Sequence, residues 1–312
     1  MLKTAVIAIG GNAIISEGQK GTLEEQFENV LKTCDPIIDL LEEGYNVVLT
    51  HGNGPHVGNA LIKNDSAKHL VPAYPMDACG AETQGLLGYV IKQAMENRIV
   101  QRGLKKEIAS VITQVKVDAN DPGFINPTKP VGPFYSKEEA DQLISEKGYV
   151  MIEDSGRGYR RVVASPKPLD ILEKNIVKSL VKDNFLVIAV GGGGIPVVEK
   201  NQQVLGVEAV IDKDYASALL AEEIDADLLI ILTGVEKVAV NFGKPDQAFL
   251  SEMTLSEAEK HMQDGQFPPG SMGPKIDAAM NFVRKGHGAA IITSIGKLKE
   301  AVKGHTGTKL VK

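Results

Sequence analysis

The stretch Thr4-Ala5-Val6-Ile7-Ala8-Ile9-Gly10-Gly11-Asn12 is a short apolar run that stops on two glycines and an amide. It has no polar alternation, which suits a strand buried on both faces rather than on one. The same design recurs along the chain. Asn46–His51 runs into Gly52-Asn53-Gly54-Pro55, Phe185–Val190 into Gly191-Gly192-Gly193-Gly194-Ile195-Pro196, and Leu228–Leu232 into Thr233-Gly234-Val235. Ile108–Val117 and Ala289–Thr293 read as two further strands of this kind. The segments Leu23–Glu43, Gly80–Arg102, Leu169–Asp183, Tyr215–Ile224, Leu255–Gln263 and Pro274–Gly286 carry helical patterns between them. Such alternation predicts an α/β chain: a three-layer αβα sandwich around a central, mostly parallel sheet.

One region breaks the rhythm. From Asp118 to about Pro168 the chain is rich in proline (Pro122, Pro127, Pro130, Pro133, Pro166, Pro168) and glycine. Gly148–Glu153 and Tyr159–Val163 alternate enough for a small hairpin. The segment reads as a small protruding β-rich subdomain or lid inserted in a single domain spanning 1–312, or else as a long surface loop.

Composition narrows the partners. The chain has 312 residues, 34 Lys+Arg against 40 Asp+Glu, and a formal charge of −6. Nucleic acid is therefore not an expected partner. Two cysteines, Cys34 and Cys79, are too few for a disulfide framework or a four-cysteine zinc site. The apolar run Ala5–Ile9 is too short for a secretory signal, and no stretch has the length of a membrane span. A cytoplasmic protein without membrane contact is the expectation.

In parallel sheets, ligands bind beyond the carboxyl ends of the strands. Glycines there let bare backbone N–H groups approach an anion, and a following helix start adds its dipole. Several glycine turns on one sheet edge point to a polyphosphate site. The P-loop pattern is absent, and Pro196 spoils a dinucleotide fingerprint in the four-glycine run. Three lysines stand out as cations for such a site. Lys129 is stiffened by Pro127 and Pro130, Lys213 lies between Asp212 and Asp214 before a helix, and Lys275 follows Gly270-Ser271-Met272-Gly273-Pro274. Helix starts disfavour lysine unless an anion shares the site. Asp214 orients Lys213 or caps its helix; spacing alone leaves both open. Met272 touches a ligand or fills a gap. His51 and His56 flank a glycine loop, but no further ligand at suitable spacing supports a metal site.

Together these motifs resemble the amino-acid kinase family. The matching segments run nearly from end to end, from Gly10-Gly11-Asn12 and His51-Gly52-Asn53-Gly54-Pro55 to Leu232-Thr233-Gly234-Val235 and the terminal Gly307-Thr308. Asn126-Pro127-Thr128-Lys129-Pro130, Ser165-Pro166-Lys167-Pro168 and Ile211-Asp212-Lys213-Asp214 are closer to its carbamate-phosphorylating branch. The resemblance implies reversible phosphoryl transfer between ATP and carbamate, giving ADP and carbamoyl phosphate, with Mg²⁺ held mainly by the nucleotide phosphates. It further implies a homodimer, a lid carrying Lys129 to the carbamate end, and a role in arginine breakdown. Lys213 and Lys275 would hold the transferring phosphoryl and the nucleotide phosphates, and Asp214 would orient them. Gly10, Gly11, Asn12, Gly52, Asn53, Gly54, Gly191 and Gly192 would supply donors. Thr233, Gly234, Val235 and Met272 would join Lys213 and Lys275 around the nucleotide. One position departs: the family has glutamine after Asn-Gly-Pro, and here it is His56. A kinase for an amino-acid carboxylate and a catalytically silent nucleotide sensor are the competing expectations; the latter would be marked by loss of the lysines.

Overall fold

A computed structural model describes residues 2–16, 18–154, 156–286 and 288–312; the Asn12 side chain lies outside the described residues. Eight strands form the main sheet, in the order Glu252–Thr254, Thr308–Val311, Ala289–Thr293, Leu228–Leu232, Thr4–Ile9, Asn46–His51, Leu186–Ile188 and Ile108–Ser110. Every neighbouring pair is parallel except Ala289–Thr293 with Thr308–Val311.

The reason for the unbroken apolar strands is visible in the packing. Along the first strand, Ala5, Ile7 and Ile9 face one buried cluster, while Val6 and Ala8 face the other. The first cluster is closed by helices Leu23–Glu42 and Met76–Gln101. The second is closed by Lys174–Lys182, Lys213–Glu223 and Met272–Lys285. A strand with both faces covered has no use for polar side chains. The molecule is thus three layers deep, helices on sheet on helices.

Two expected elements are corrected. Ile108–Val117 is not one strand. Ile108–Ser110 belongs to the main sheet, whereas Gln114–Val117 pairs with Ile195–Lys200 and Pro168–Ile171 in a separate four-stranded sheet. The break falls at Thr113, whose N–H donates to Gln84 Oε1 at 2.8 Å, so a helix side chain takes the place of a ladder partner. Leu169–Asp183 is likewise split: Pro168–Ile171 is a strand, and only Lys174–Lys182 is helical. Its first part is claimed by pairing with Gln114–Val117, a partner that local pattern does not reveal.

Between residues 118 and 168 lies a three-stranded sheet ordered Lys129–Tyr135, Tyr159–Val163, Val150–Glu153. It also holds an 11-residue helix, Lys137–Lys147, that the proline-rich composition hid. The missed signal is its capping box: Ser136 accepts from the Glu139 N–H while the Glu139 carboxylate accepts from the Ser136 N–H. Among the described residues, no helix is long and apolar enough to cross a membrane.

Candidate active site

Parallel pairing brings the carboxyl ends of Leu228–Leu232, Thr4–Ile9, Asn46–His51 and Leu186–Ile188 to one edge, in that order. The glycine turns therefore meet there. The Gly52 N–H donates to Ile9 O at 3.1 Å, and a methyl added to Gly10 would stand 3.4 Å from Leu232 O. One added to Gly52 would lie 3.2 Å from Lys213 Cδ and 3.7 Å from the Gly11 nitrogen. The first two turns and the Lys213 stem are thus packed side by side.

Lys213 opens the helix Lys213–Glu223, and Asp212 caps it by accepting from the Asp214 N–H at 2.8 Å through Oδ1. The other oxygen of Asp212 takes the Lys129 ammonium at 2.7 Å. Asp214 is held between two lysines: its Oδ1 is paired with Lys213, and its Oδ2 lies 3.1 Å from the Lys275 ammonium. The helix is anchored below by Ser217, which donates to Lys213 O at 2.5 Å and lies 2.6 Å from Thr50 Oγ1. Lys129, Lys213, Lys275 and Asp214, singled out from three distant segments, are thereby brought into one cluster. Asp214 is paired with both lysines, while capping falls to Asp212. Sequence reading assigned Asp212 no role of its own; its position before Lys213 at a helix start was the available signal.

Three ammonium groups face two carboxylates, leaving one surplus positive charge beside two helix starts. Burial by itself would raise the Asp214 carboxyl, but the ammonium groups of Lys213 and Lys275 outweigh it and hold it below the usual carboxylate range. Burial lowers the Lys213 ammonium, against the pull of Asp214. A cluster charged this way suits a polyanion. Among the described residues, no group of three or more His, Cys, Asp and Glu is arranged to hold a metal ion, and both site carboxylates already face ammonium groups.

The remaining glycines take a different place. Gly191 and Gly192 are buried, with His51 and Gln84 beside the first and the Asn53 amide beside the second. Gly193 has φ +91°, and a methyl there would lie 2.2 Å from Ile211 O, so only glycine fits. Gln84 ties the loop down, donating to Gly191 O at 3.0 Å and to Thr113 O at 3.1 Å. Asn53 donates to Thr83 Oγ1 at 2.8 Å. Thr83 and Gln84 carry this wiring although no side-chain role had been read for them.

Thr233, Gly234 and Val235 share the same sheet edge by register, the Thr233 N–H donating to Thr293 O at 2.9 Å. Met272 packs against the buried cluster below its helix. The His56 side chain is buried against the helix Leu23–Glu42. Its Nε2 lies 2.9 Å from Gln26 Oε1, and its Nδ1 is buried with no partner among the described residues. Burial lowers it to about 4, so its ring is neutral at physiological pH.

Residues 3–294 match the amino acid kinase family, and the chain belongs to it. Within that family the similarity is specific. A carbamate kinase of Thermococcus kodakarensis is 51% identical over 314 residues, covering 100% of both chains. One of Clostridium perfringens is 50% identical, covering 98% of this chain and 99% of its own. The solved structure of the Giardia lamblia carbamate kinase bound to AMP-PNP superposes with a TM-score of 0.91 at 43% identity, covering 99% of this chain and 98% of that one.

Proposed function

We propose that this chain transfers a phosphoryl group reversibly between ATP and carbamate. The observation that carries the reading is the convergence of Lys129, Lys213 and Lys275 on Asp212 and Asp214. It is joined to full-length similarity with proteins named carbamate kinase. In the ATP-forming direction, the bond between phosphorus and the carbamate oxygen breaks as one forms to the terminal oxygen of ADP. No enzyme-bound intermediate is needed, because phosphoryl transfer asks chiefly for position and for charge to meet charge.

Each residue then has a place. Lys213 and Lys275 face the transferring phosphoryl and the nucleotide phosphates, steadied by their shared carboxylate. Backbone N–H groups at Gly10, Gly11, Gly52, Asn53 and Gly54 offer further donors without any side-chain reorganisation. Lys129, delivered by the three-stranded sheet of residues 129–163, serves the carbamate end, and that sheet acts as a lid. Gly191 and Gly192 serve by seating Asn53. Thr233, Gly234, Val235 and Met272 flank the nucleotide. The nucleotide enters as its magnesium complex, the ion carried on the phosphates as part of the substrate. On the same reading the chain works in the cytoplasm as a homodimer and yields ATP in cells that ferment arginine.

The test is ATP formation from ADP, Mg²⁺ and carbamoyl phosphate, read through hexokinase against an enzyme-free control. Turnover that disappears in Lys213→Ala supports both substrate and site. Binding of ADP without turnover would shift the reading to another acyl phosphate or to a silent nucleotide sensor.

A further inference from the structure

The strand Lys129–Tyr135 does not run straight. Its pairing with Tyr159–Val163 holds from Lys129 to Val131, then slips and resumes at Tyr135 opposite Tyr159. A bulge of this kind bends its strand and releases backbone groups from the ladder. Here it contains Gly132, with φ +75°, seated against Gly58 of the helix Gly54–Ala67. The two backbones are so close that a methyl on Gly58 would come 2.0 Å from Gly132 Cα.

The carbonyl of Gly132 is taken by Arg160 from the opposite strand, which donates to it through Nε at 3.2 Å and Nη2 at 2.9 Å. Nη1 of the same guanidinium donates to Asp154 Oδ2 at 3.3 Å, and the group lies 5.2 Å from the Phe134 ring centroid. The side chain is only 13% exposed, and Asp154 is shared with Arg157 at 3.2 Å. A cation buried under these terms is a poor device for stability alone. Its two bonds converge instead on the one carbonyl that fixes where the bulge sits. Three residues upstream, at the other end of the regular pairing, Lys129 reaches Asp212.

We propose that Arg160 is a positioning residue for phosphoryl transfer: by gripping the bulged carbonyl of Gly132 it sets the depth at which Lys129 enters the charge cluster. The kinetic consequence rests on the carbamate reading; the placement of Lys129 does not. Two measurements separate them, both on the full chain with Arg160→Gln and Arg160→Lys.

The first is amine-selective acylation mapped by mass spectrometry. Lys129 is expected to label several-fold faster in Arg160→Gln, with Lys213 unchanged and Arg160→Lys intermediate, since one ammonium can still donate to Gly132 O. The second is a double-mutant cycle. Arg160→Gln should lower kcat/KM for carbamoyl phosphate about tenfold, the scale of losing charge-assisted hydrogen bonds, with ADP affinity unmoved. In a Lys129→Met background it should cost nothing further. Unchanged Lys129 labelling, or the same loss with Lys129 already gone, overturns the proposal. A wild-type chain inert toward carbamoyl phosphate, with Lys129 still unmasked by Arg160→Gln, would defeat the substrate reading and leave Arg160 in its role. Should Arg160→Gln fold poorly, as judged by its melting temperature, Arg160→Lys carries both comparisons.

Discussion

Lys275 Nζ lies 3.1 Å from Asp214 Oδ2, the opposite oxygen of the same carboxylate that Lys213 occupies. The lysines belong to two helices, Lys213–Glu223 and Met272–Lys285, which are also joined by Tyr215 Oη donating to Asp277 Oδ2 at 2.8 Å across 62 positions. One buried anion therefore sets the spacing of two cations, and removing it differs in kind from removing either cation.

Lys213→Ala and Lys275→Ala should each lower the rate of ATP formation by roughly 10²–10³ with the fold retained, the scale of deleting one stabilising charge in a preorganised site. Asp214→Ala should do more to stability. It leaves two ammonium groups facing each other in a buried place, at a cost of about 3–5 kcal/mol. Urea unfolding beside steady-state kinetics distinguishes the two patterns. Similar stability losses in all three variants would contradict the bridging role of Asp214.

Gly58→Ala places a methyl where Gly132 already stands. The helix and the bulge must part, and overpacking of this kind costs about 1–3 kcal/mol. The expected kinetic signature is a raised KM for carbamoyl phosphate with ADP affinity unchanged, because the displaced arm carries Lys129 and not Lys213 or Lys275, the two lysines proposed to face the nucleotide phosphates. Equal losses toward both substrates would count against that division.

His56 makes stability depend on pH. Burial holds its native pKa at about 4, below the ordinary 6.5 of an unfolded chain. Between those values the unfolded state takes up a proton that the native ring refuses. The contribution is complete above pH 6.5 and is lost as the pH falls toward 4, on the order of 3 kcal/mol in all. His51, also lowered to about 4 by burial, adds in the same direction. Unfolding free energies measured from pH 7 to 4 should fall less steeply in His56→Gln than in the wild type.

Gln84→Leu removes the partner of the Thr113 N–H and of the Thr113 and Gly191 carbonyls, all buried. An orphaned buried group costs about 1–3 kcal/mol, so the denaturation midpoint should drop clearly. The glycine loop that seats Asn53 loosens with it, and a higher KM is the expected companion.

Those last residues show what the sequence could and could not reveal. Thr4–Ile9, Asn46–His51 and Ala289–Thr293 have the bounds that their composition implies, since burial on both faces writes itself into every position. Lys213 and Lys275 were legible as cations misplaced at helix starts, and Lys129 as a lysine stiffened by its flanking prolines. Their meeting was not, because Lys129 and Asp212 are 83 residues apart and Lys275 and Asp214 are 61. Gln84 looks like any polar residue on a helix until Thr113 arrives from 29 positions away to be held. Leu169–Ile171 reads as the start of a helix until the strand Gln114–Val117 lies beside it. Local pattern records what solvent and the backbone demand of a residue; it does not record which distant group answers it.

The first strand has a partner on each side, and they are made at very different times. Asn46–His51 follows it closely, but the Thr4 N–H meets Asp227 across 223 positions, and Ala5 pairs with Leu228. At about 5–20 residues per second, a ribosome leaves that edge open for roughly ten to forty-five seconds. Throughout this interval an apolar strand stands unpaired on one side while the rest of its sheet is still being translated. The nascent chain, more than the finished protein, is the form that exposes this edge to aggregation.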